Sequence, residues 1–206
     1  MKNFKNEILI SVLSVLVVVV SGITFYSCSC GCGAANNSDI PVDILTKADD
    51  YIISKTGKDF FNNYISPDFS LIKYNAPNYR MVYRFFIPEK PYVDELIKFT
   101  VDSAGNINRA EEISGIPDFK NNPESCNFSI DKKTAIQIAR DSGLEEGVIE
   151  WKYGLVWDSG LQKYTWHILS TFSQSGAAND YKGNGKELVI DPGNGKILAT
   201  NIWHIP

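Results

Sequence analysis

The sequence predicts an α+β protein built from two repeated units, each a helix packed on an antiparallel β-sheet meander. Two observations support this fold class. The spacing of apolar residues changes from a helical period to strand-like alternation, and it does so twice in the same order along the chain. The alternating segments of both halves also reach an aspartate followed by a Gly/Asn turn, at Asp102 and Asp191. Such recurrence indicates an internal repeat.

Before the first unit, the chain has a basic and then strongly apolar segment. Lys2 and Lys5 precede an uncharged run from Ile8 to Tyr26. As a helix, this run is long enough to span the hydrocarbon core of a bilayer. Because the positive residues lie on its N-terminal side, the rest of the chain is expected to cross the membrane. We therefore expect everything after about residue 39 to lie outside the cytoplasm.

The end of this segment, Phe25-Tyr26-Ser27-Cys28, resembles a bacterial lipoprotein signal. The resemblance implies a signal peptide over residues 1–27 and lipid attachment at Cys28. Phe25 and Tyr26 depart from the usual pattern, in which an aliphatic and then a small residue stand at these positions. An uncleaved spanning anchor and ordinary cleavage of the segment are the alternatives. The expected location is the bacterial cell envelope, with membrane attachment through the N-terminus.

Residues 28–40 are predicted to form a flexible tether, because they are rich in small and polar residues and lack periodicity. The tether carries Cys28, Cys30 and Cys32, while Cys126 stands alone further along the chain. Tetrahedral zinc needs a second pair of ligands, which the sequence does not supply, so we expect no metal site. Pairing of Cys30 or Cys32 with Cys126 in an oxidising compartment stays an open alternative.

The first predicted unit spans residues 41–119 and begins with a helix. Pro41 is typical of a helix start and Gly57 of a helix end. Residues at helical spacing predict the apolar face of this helix: Val42, Leu45, Ala48 or Asp49, and Ile52.

Strands follow at residues 79–87 and 95–102, which are rich in aromatic and branched side chains. Turn residues at 103–106 precede a last short strand that is expected to begin at Ile107. The segment 114–129 contains prolines and several asparagines, which favour a linker with a domain boundary near residue 120.

The second predicted unit spans residues 120–206 and repeats this order. Either Ser129 or Asp131 can cap its helix, and Gly143 can end it. One face of the helix is expected to carry Ala135, Ile138 and Ala139. Four strands are predicted after it, at residues 150–158, 163–173, 186–191 and 196–203.

The segments SIDKKTAIQIARDSGL, KYTWHIL and ELVIDPGNGKIL of the second half resemble the PepSY domain family over residues 128–203. Residues 42–116 are a weaker match, since Tyr79 and Tyr83 stand where the family has a Tyr-x-Trp pair. The resemblance implies a PepSY/cystatin-like fold for each unit. Because PepSY domains occur in propeptides of thermolysin-type proteases, it also implies a role in restraining a peptidase.

An aromatic set in the second unit is the candidate binding face. Indole and phenol rings combine apolar area with a polar group, as protein-binding surfaces often require. Packing between helix and sheet is the alternative role for the same residues. The set comprises Trp151, Tyr153, Trp157, Tyr164 and Trp166.

The sequence lacks the motifs of an enzyme. His167 and His204 are its two histidines, and neither lies in a recognisable catalytic pattern. We interpret residues 191–195 as a hairpin turn, because they lack the acidic ligands of a calcium loop. No catalytic residue and no cofactor are therefore expected. The net charge of −4 argues against nucleic-acid binding.

These observations favour an exported, membrane-tethered, non-enzymatic binding or regulatory protein. Its expected partners are a secreted peptidase or another envelope protein. The alternative is a structural or assembly component of an envelope complex, in which exposed strand edges add to the sheet of a partner.

Overall fold

The structure, a computed structural model, describes residues 40–176 and 180–206. The signal segment, most of the tether, and Cys28, Cys30 and Cys32 lie outside the described residues. The described residues belong to one compact unit of mixed helices and antiparallel sheets. Within them, no helix has the length and apolar character needed to cross a membrane.

Helix α1, Val42–Thr56, confirms the predicted first helix, and Gly57 ends it with a φ of 85°. The face that α1 buries shares Ala48 and Ile52 with the predicted one but is rotated away from Val42. Ile44, Ala48, Ile52 and Thr56 are buried, whereas Val42 is 79% exposed. The sheet beneath the helix selects the row at i, i+4 spacing, and Val42 lies on the solvent side of the first turn. A short helix that was not expected, α2 (Lys58–Tyr64), follows at once.

The first sheet contains four strands: β1 (Ile65–Pro67), β2 (Lys73–Asn75), β3 (Asn78–Phe86) and β4 (Asp94–Val101). β4 pairs with β3 from Tyr79 to Phe86, and the short β1 and β2 pair with opposite ends of β3 on its other side. The two strands predicted in the first half are confirmed as β3 and β4.

The last short strand expected from Ile107 is wrong. Only two isolated bridges form beside β4, Val101 with Ile107 and Lys98 with Ser114. Between them the chain leaves the sheet, because Glu111 folds back and its carboxylate accepts a hydrogen bond from the Thr100 hydroxyl at 2.6 Å.

Helix α3, Lys132–Asp141, is the predicted helix of the second half. Of the two candidate caps, Asp131 serves, since its side chain accepts from the Thr134 N–H at 2.8 Å. Gly143, at a φ of 77°, ends the helix, and the next N–H, of Leu144, bonds to the Ala139 carbonyl at 3.0 Å. A 3₁₀ turn, Pro123–Cys126, precedes α3.

The second sheet has the strand order β5-β6-β7-β8, with every neighbouring pair antiparallel. The strands are β5 (Lys152–Asp158), β6 (Lys163–Ser175), β7 (Lys182–Ile190) and β8 (Ile197–Ile205). All four predicted strands are confirmed, although β7 begins four residues earlier than expected and β6 ends two residues later.

One hydrophobic core contains residues from both halves. The rings of Phe85 in β3, Phe128 before α3 and Tyr164 in β6 meet at centroid distances of 5.7 to 6.0 Å. The segment interpreted as a linker takes part in this core, because Ile116 and Phe128 are buried. The Gly115 carbonyl also accepts a hydrogen bond from the Tyr164 hydroxyl at 2.9 Å.

Candidate functional site

Two of the five residues in the predicted aromatic face are buried on the core side of the second sheet. Tyr164 is 1% exposed and Trp166 is 3% exposed, so neither can contribute to an open binding face. Trp157 and Tyr153 point to the same side of the sheet as these two residues. Trp157 lies directly opposite Tyr164 on the paired strand, and Tyr153 lies opposite the buried Ile168. Alternation indicated a shared face for Tyr164 and Trp166, and the structure places that face against the core, which is the packing role given as the alternative for these residues.

Trp151 and Tyr153 contact the basic side chains of α3. Lys132 Nζ lies 3.9 Å from the centre of the Tyr153 ring and donates a hydrogen bond to its hydroxyl. The Arg140 guanidinium lies 5.9 Å from the Trp151 ring, whose Nε1 donates to the Glu145 carbonyl at 3.2 Å. These cation-π contacts attach the helix to the edge of the sheet. Tyr153, at 44% exposure, is the most accessible of the five predicted aromatic residues.

Trp157 packs edge-on against Tyr164, with ring centroids 5.2 Å apart. Its indole ring borders a cavity of about 270 Å³ that α1 and the segment around Ile116 also line. The buried Trp157 Nε1 has no hydrogen-bond partner among the described residues.

The His167 ring contacts a hydroxyl and a carboxylate that the sequence did not predict to lie together. Its Nδ1 lies 2.6 Å from Glu187 Oε1, and its Nε2 lies 3.0 Å from Thr165 Oγ1. Hydroxyl, imidazole and carboxylate in this order resemble a hydrolytic triad. Thr165 is fully buried, however, so no substrate reaches its hydroxyl in this structure.

This array therefore serves to join strands β6, β7 and β8, since Asn201 Nδ2 of β8 donates to Glu187 Oε2 at 2.9 Å. Burial raises the pKa of Glu187, but the hydrogen bonds from Asn201 and His167 outweigh it and hold the pKa below its usual value. Glu187 thus stays ionised at neutral pH. The other histidine, His204, is exposed on β8.

Within residues 40–176 and 180–206, no three His, Cys, Asp or Glu side chains come together to hold a metal ion. The Asp191 carboxylate is engaged by Lys163 Nζ at 2.6 Å and by the Gly193 N–H at 2.7 Å. Burial raises the pKa of the Cys126 thiol to about 12, which keeps it protonated and unreactive at neutral pH.

A polar groove of about 470 Å³ lies on the outward face of the first sheet. One wall comes from the β2–β3 turn, and the other comes from the segment after β4 that folds back at Glu111. Its volume lies within the range of small-molecule sites. The charged and amide side chains that line the groove are Asn75, Asn78, Arg80, Lys98, Glu111 and Glu112.

The groove contains two basic side chains, Arg80 and Lys98, that form no ion pair within the described part of the chain. Arg84, further along β3, is already paired with Asp94 through two hydrogen bonds of 2.6 Å. The Glu111 carboxylate accepts hydrogen bonds from Thr100 and Asn108. The groove therefore offers two unpaired cations beside a carboxylate that is held in place.

Sequence reasoning missed this groove, although alternation along β3 contains part of the signal. Arg80 alternates with Tyr79 and Met81, so it has to point away from the core. Lys98 faces outward beside it because β4 pairs Lys98 with Val82. The return of the chain at Glu111, which closes one side of the groove, has no counterpart in any local pattern.

Comparison with known proteins adds no relative, since no protein-family model and no curated protein sequence matches this chain.

Proposed function

We propose that this chain is an exported, membrane-tethered binding protein without enzymatic activity, and that it restrains a secreted peptidase at the bacterial cell envelope. The groove on the first sheet is the observation that carries the binding role. Charged groups without a partner in a concave surface suit the recognition of a complementary protein segment. The peptidase as partner class rests on the PepSY resemblance alone. The tether rests on the apolar N-terminal segment and on Cys28 as the lipid attachment site.

Our proposal includes two diverged PepSY-like units, and the order of elements supports it. In the first half, α1 is followed by short strands on one side of β3 and by β4 on the other side. In the second half, α3 is followed by β5 on one side of β6 and by β7 on the other side. Each half thus has a helix, a flanking strand, a central strand and a second flanking strand.

The turns after β4 and β7 support the same proposal. The side chains of Asp102 and Asp191 each accept a hydrogen bond from the backbone N–H two residues further on. Their carbonyls accept from the N–H groups of Gly105 and Gly195, at 2.9 Å in both turns. Gly105 and Gly195 have φ values of 79° and 76°. The two turns share the side-chain bond and a glycine of positive φ, but the backbone bond spans three residues at Asp102 and four at Asp191, so the second turn is one residue longer. Turns of this related form are consistent with duplication of one ancestral unit followed by divergence.

Inhibition of secreted metalloproteases from the same organism tests the function. Membranes carrying the full chain are expected to slow peptide hydrolysis by at least one of these enzymes. Replacing Arg80→Glu together with Lys98→Glu should weaken this inhibition about tenfold, because it reverses both unpaired charges in the groove. Lys133→Glu with Lys152→Glu is the matched control, since it changes the net charge equally at exposed positions outside the groove.

Two results would count against the proposal. Absence of binding and of inhibition with every enzyme contradicts the peptidase role. Equal weakening by the groove variant and the control variant shows that net charge alone, and not the groove, governs the interaction.

A second candidate function is that of a structural or assembly component of an envelope complex. Strand β8 favours it, because it lies at the end of the second sheet and pairs only with β7 among the described residues. An edge strand of this kind can extend its sheet with a strand from another chain.

A further inference from the structure

Strand β8 lacks the features with which natural sheets protect their edges. Soluble proteins usually place lysine, proline or other charged groups along an edge strand, or keep the strand short. β8 has nine residues, ILATNIWHI, with no formally charged side chain and no proline before Pro206. Its sequence is therefore suited to pairing with a further strand.

Apolar side chains along β8 are open to solvent. Ile202 is 85% exposed, Ile205 is 45% exposed and Ile197 is 37% exposed. The adjacent β7 carries Lys182, Lys186 and Glu187, so the charges of this region lie one strand inward from the edge. Burying the outer side of β8 would remove apolar area from water without burying a formal charge.

We infer that β8 pairs antiparallel with β8 of a second copy of this chain, with Asn201 on the two-fold axis. This interaction joins two four-stranded sheets into one sheet of eight strands. This pairing is independent of the groove, which lies on the other sheet. It deepens the second candidate function, because it identifies a second copy of this chain as the partner that binds the edge of β8.

Complementarity along β8 supports a second copy as the occupant. A two-fold axis at Asn201 places Trp203 opposite Ala199 of the second copy and Ile202 opposite Thr200. The Trp203 indole packs over Gly185 of its own β7, and in this register it faces the small Ala199 and not a second tryptophan, on the same face of the extended sheet. Ile205 meets Ile197 at both ends of the pairing. No like charges oppose each other at any position, and the contact is isologous, as in most symmetric dimers.

Disulfide cross-linking in the full chain tests both the pairing and its register. Cys30 and Cys32 are first replaced by serine to lower the background, and Asn201→Cys is then added. Directly opposite residues of an antiparallel pair have Cα atoms about 4.5 to 5.5 Å apart, which is within disulfide reach. Mild oxidation of membranes carrying this variant should produce a disulfide-linked dimer.

Ile197→Cys in the same background is the control for register. In the inferred pairing, the two copies of residue 197 lie eight residues apart along the strand direction, or about 27 Å. This variant should remain largely monomeric after oxidation. Cross-linking at position 197 that equals or exceeds that at position 201, or none at either position, would overturn the inference.

A charge variant gives a second measurement. Adding Ile202→Lys to the Asn201→Cys chain should lower dimer formation about tenfold. A lysine on an edge strand opposes pairing with another strand, because its charge would have to pack against the second copy. Combining Thr200→Lys with Ile202→Glu should restore the dimer, since these positions oppose each other and form two Lys–Glu pairs. Val42→Lys is the matched control, because Val42 is equally apolar and similarly exposed on α1.

Cross-linking that survives Ile202→Lys unchanged would contradict the inferred contact. The peptidase assay separates this inference from the proposed function. If the groove variant loses inhibition but still forms the cross-link, the groove function is tested without disturbing the dimer. If the Ile202→Lys chain loses the cross-link but still inhibits, the dimer is tested without disturbing the groove function.

Discussion

Glu95 is a half-buried carboxyl whose surroundings oppose its charge. It lies on β4 opposite Phe85 and points to the same side as the buried Ile97. Burial, and then the negative charge of Asp94, raise the pKa of Glu95 to about 7, while Lys98 lowers it. The unfolded carboxyl titrates near 4.5, so the folded state binds the proton more tightly. This group therefore lowers stability as the pH rises from about 4.5 through about 7.

Glu95→Gln should remove this pH-dependent loss. Solvent screening of the half-buried side chain limits the expected gain to about 1 to 2 kcal/mol at pH 8, with little change at pH 4. Urea unfolding at the two pH values measures the difference. Glu89→Gln, at an exposed position, is the control and should change stability equally little at both. A gain of the same size at pH 4 would show that the effect does not arise from ionisation.

At the scale of single elements, helix ends were the features best determined by local sequence. Gly57 and Gly143 end α1 and α3 as expected, and both have positive φ values. No other atom lies within 4 Å of the position that a Cβ would take at Gly143. The requirement for glycine there is therefore conformational and not steric.

Gly143→Ala should destabilise the fold by about 1 kcal/mol, because alanine resists the left-handed conformation. Gly154→Ala is the matched control, since Gly154 lies in β5 without a positive φ and its added Cβ would only reach ordinary contact with Val156 at 3.9 Å. This control should be neutral or slightly stabilising. Thermal unfolding followed by circular dichroism compares the two, and equal losses would contradict the conformational explanation.

At the scale of the whole molecule, the two halves share one core. Phe128 is fully buried and its ring contacts both Phe85 of the first sheet and Tyr164 of the second. Its carbonyl also accepts a hydrogen bond from the Tyr92 hydroxyl at 2.6 Å. Such a residue couples the stability of one sheet to that of the other.

Phe128→Ala should cost about 3 to 5 kcal/mol and leave a single unfolding transition. Hydrogen exchange should become faster in β3 and in β6 together, because the cavity adjoins both sheets. Phe69→Ala, at an exposed position, should have a small effect. Faster exchange confined to β6 would show that the halves unfold independently.

Local sequence was sufficient for the longer elements because their signals are periodic, whereas the short α2, β1 and β2 were not predicted. Alternation and turn residues located β3, β4 and all four strands of the second sheet to within a few residues. It was insufficient at Ile107, where a side-chain bond between Glu111 and Thr100 diverts the chain. That bond joins residues on either side of a turn and leaves no periodic trace.

The sequence by itself determined the α+β class, the order of the longer helices and strands, and which residues share a strand face, since each follows from the chemistry of near neighbours. Only the tertiary structure decided which faces are buried. It placed Tyr164 and Trp166 in the core, assembled the groove around Arg80 and Lys98, and left β8 at the end of its sheet. These outcomes depend on contacts between segments far apart in the chain, which no local pattern specifies.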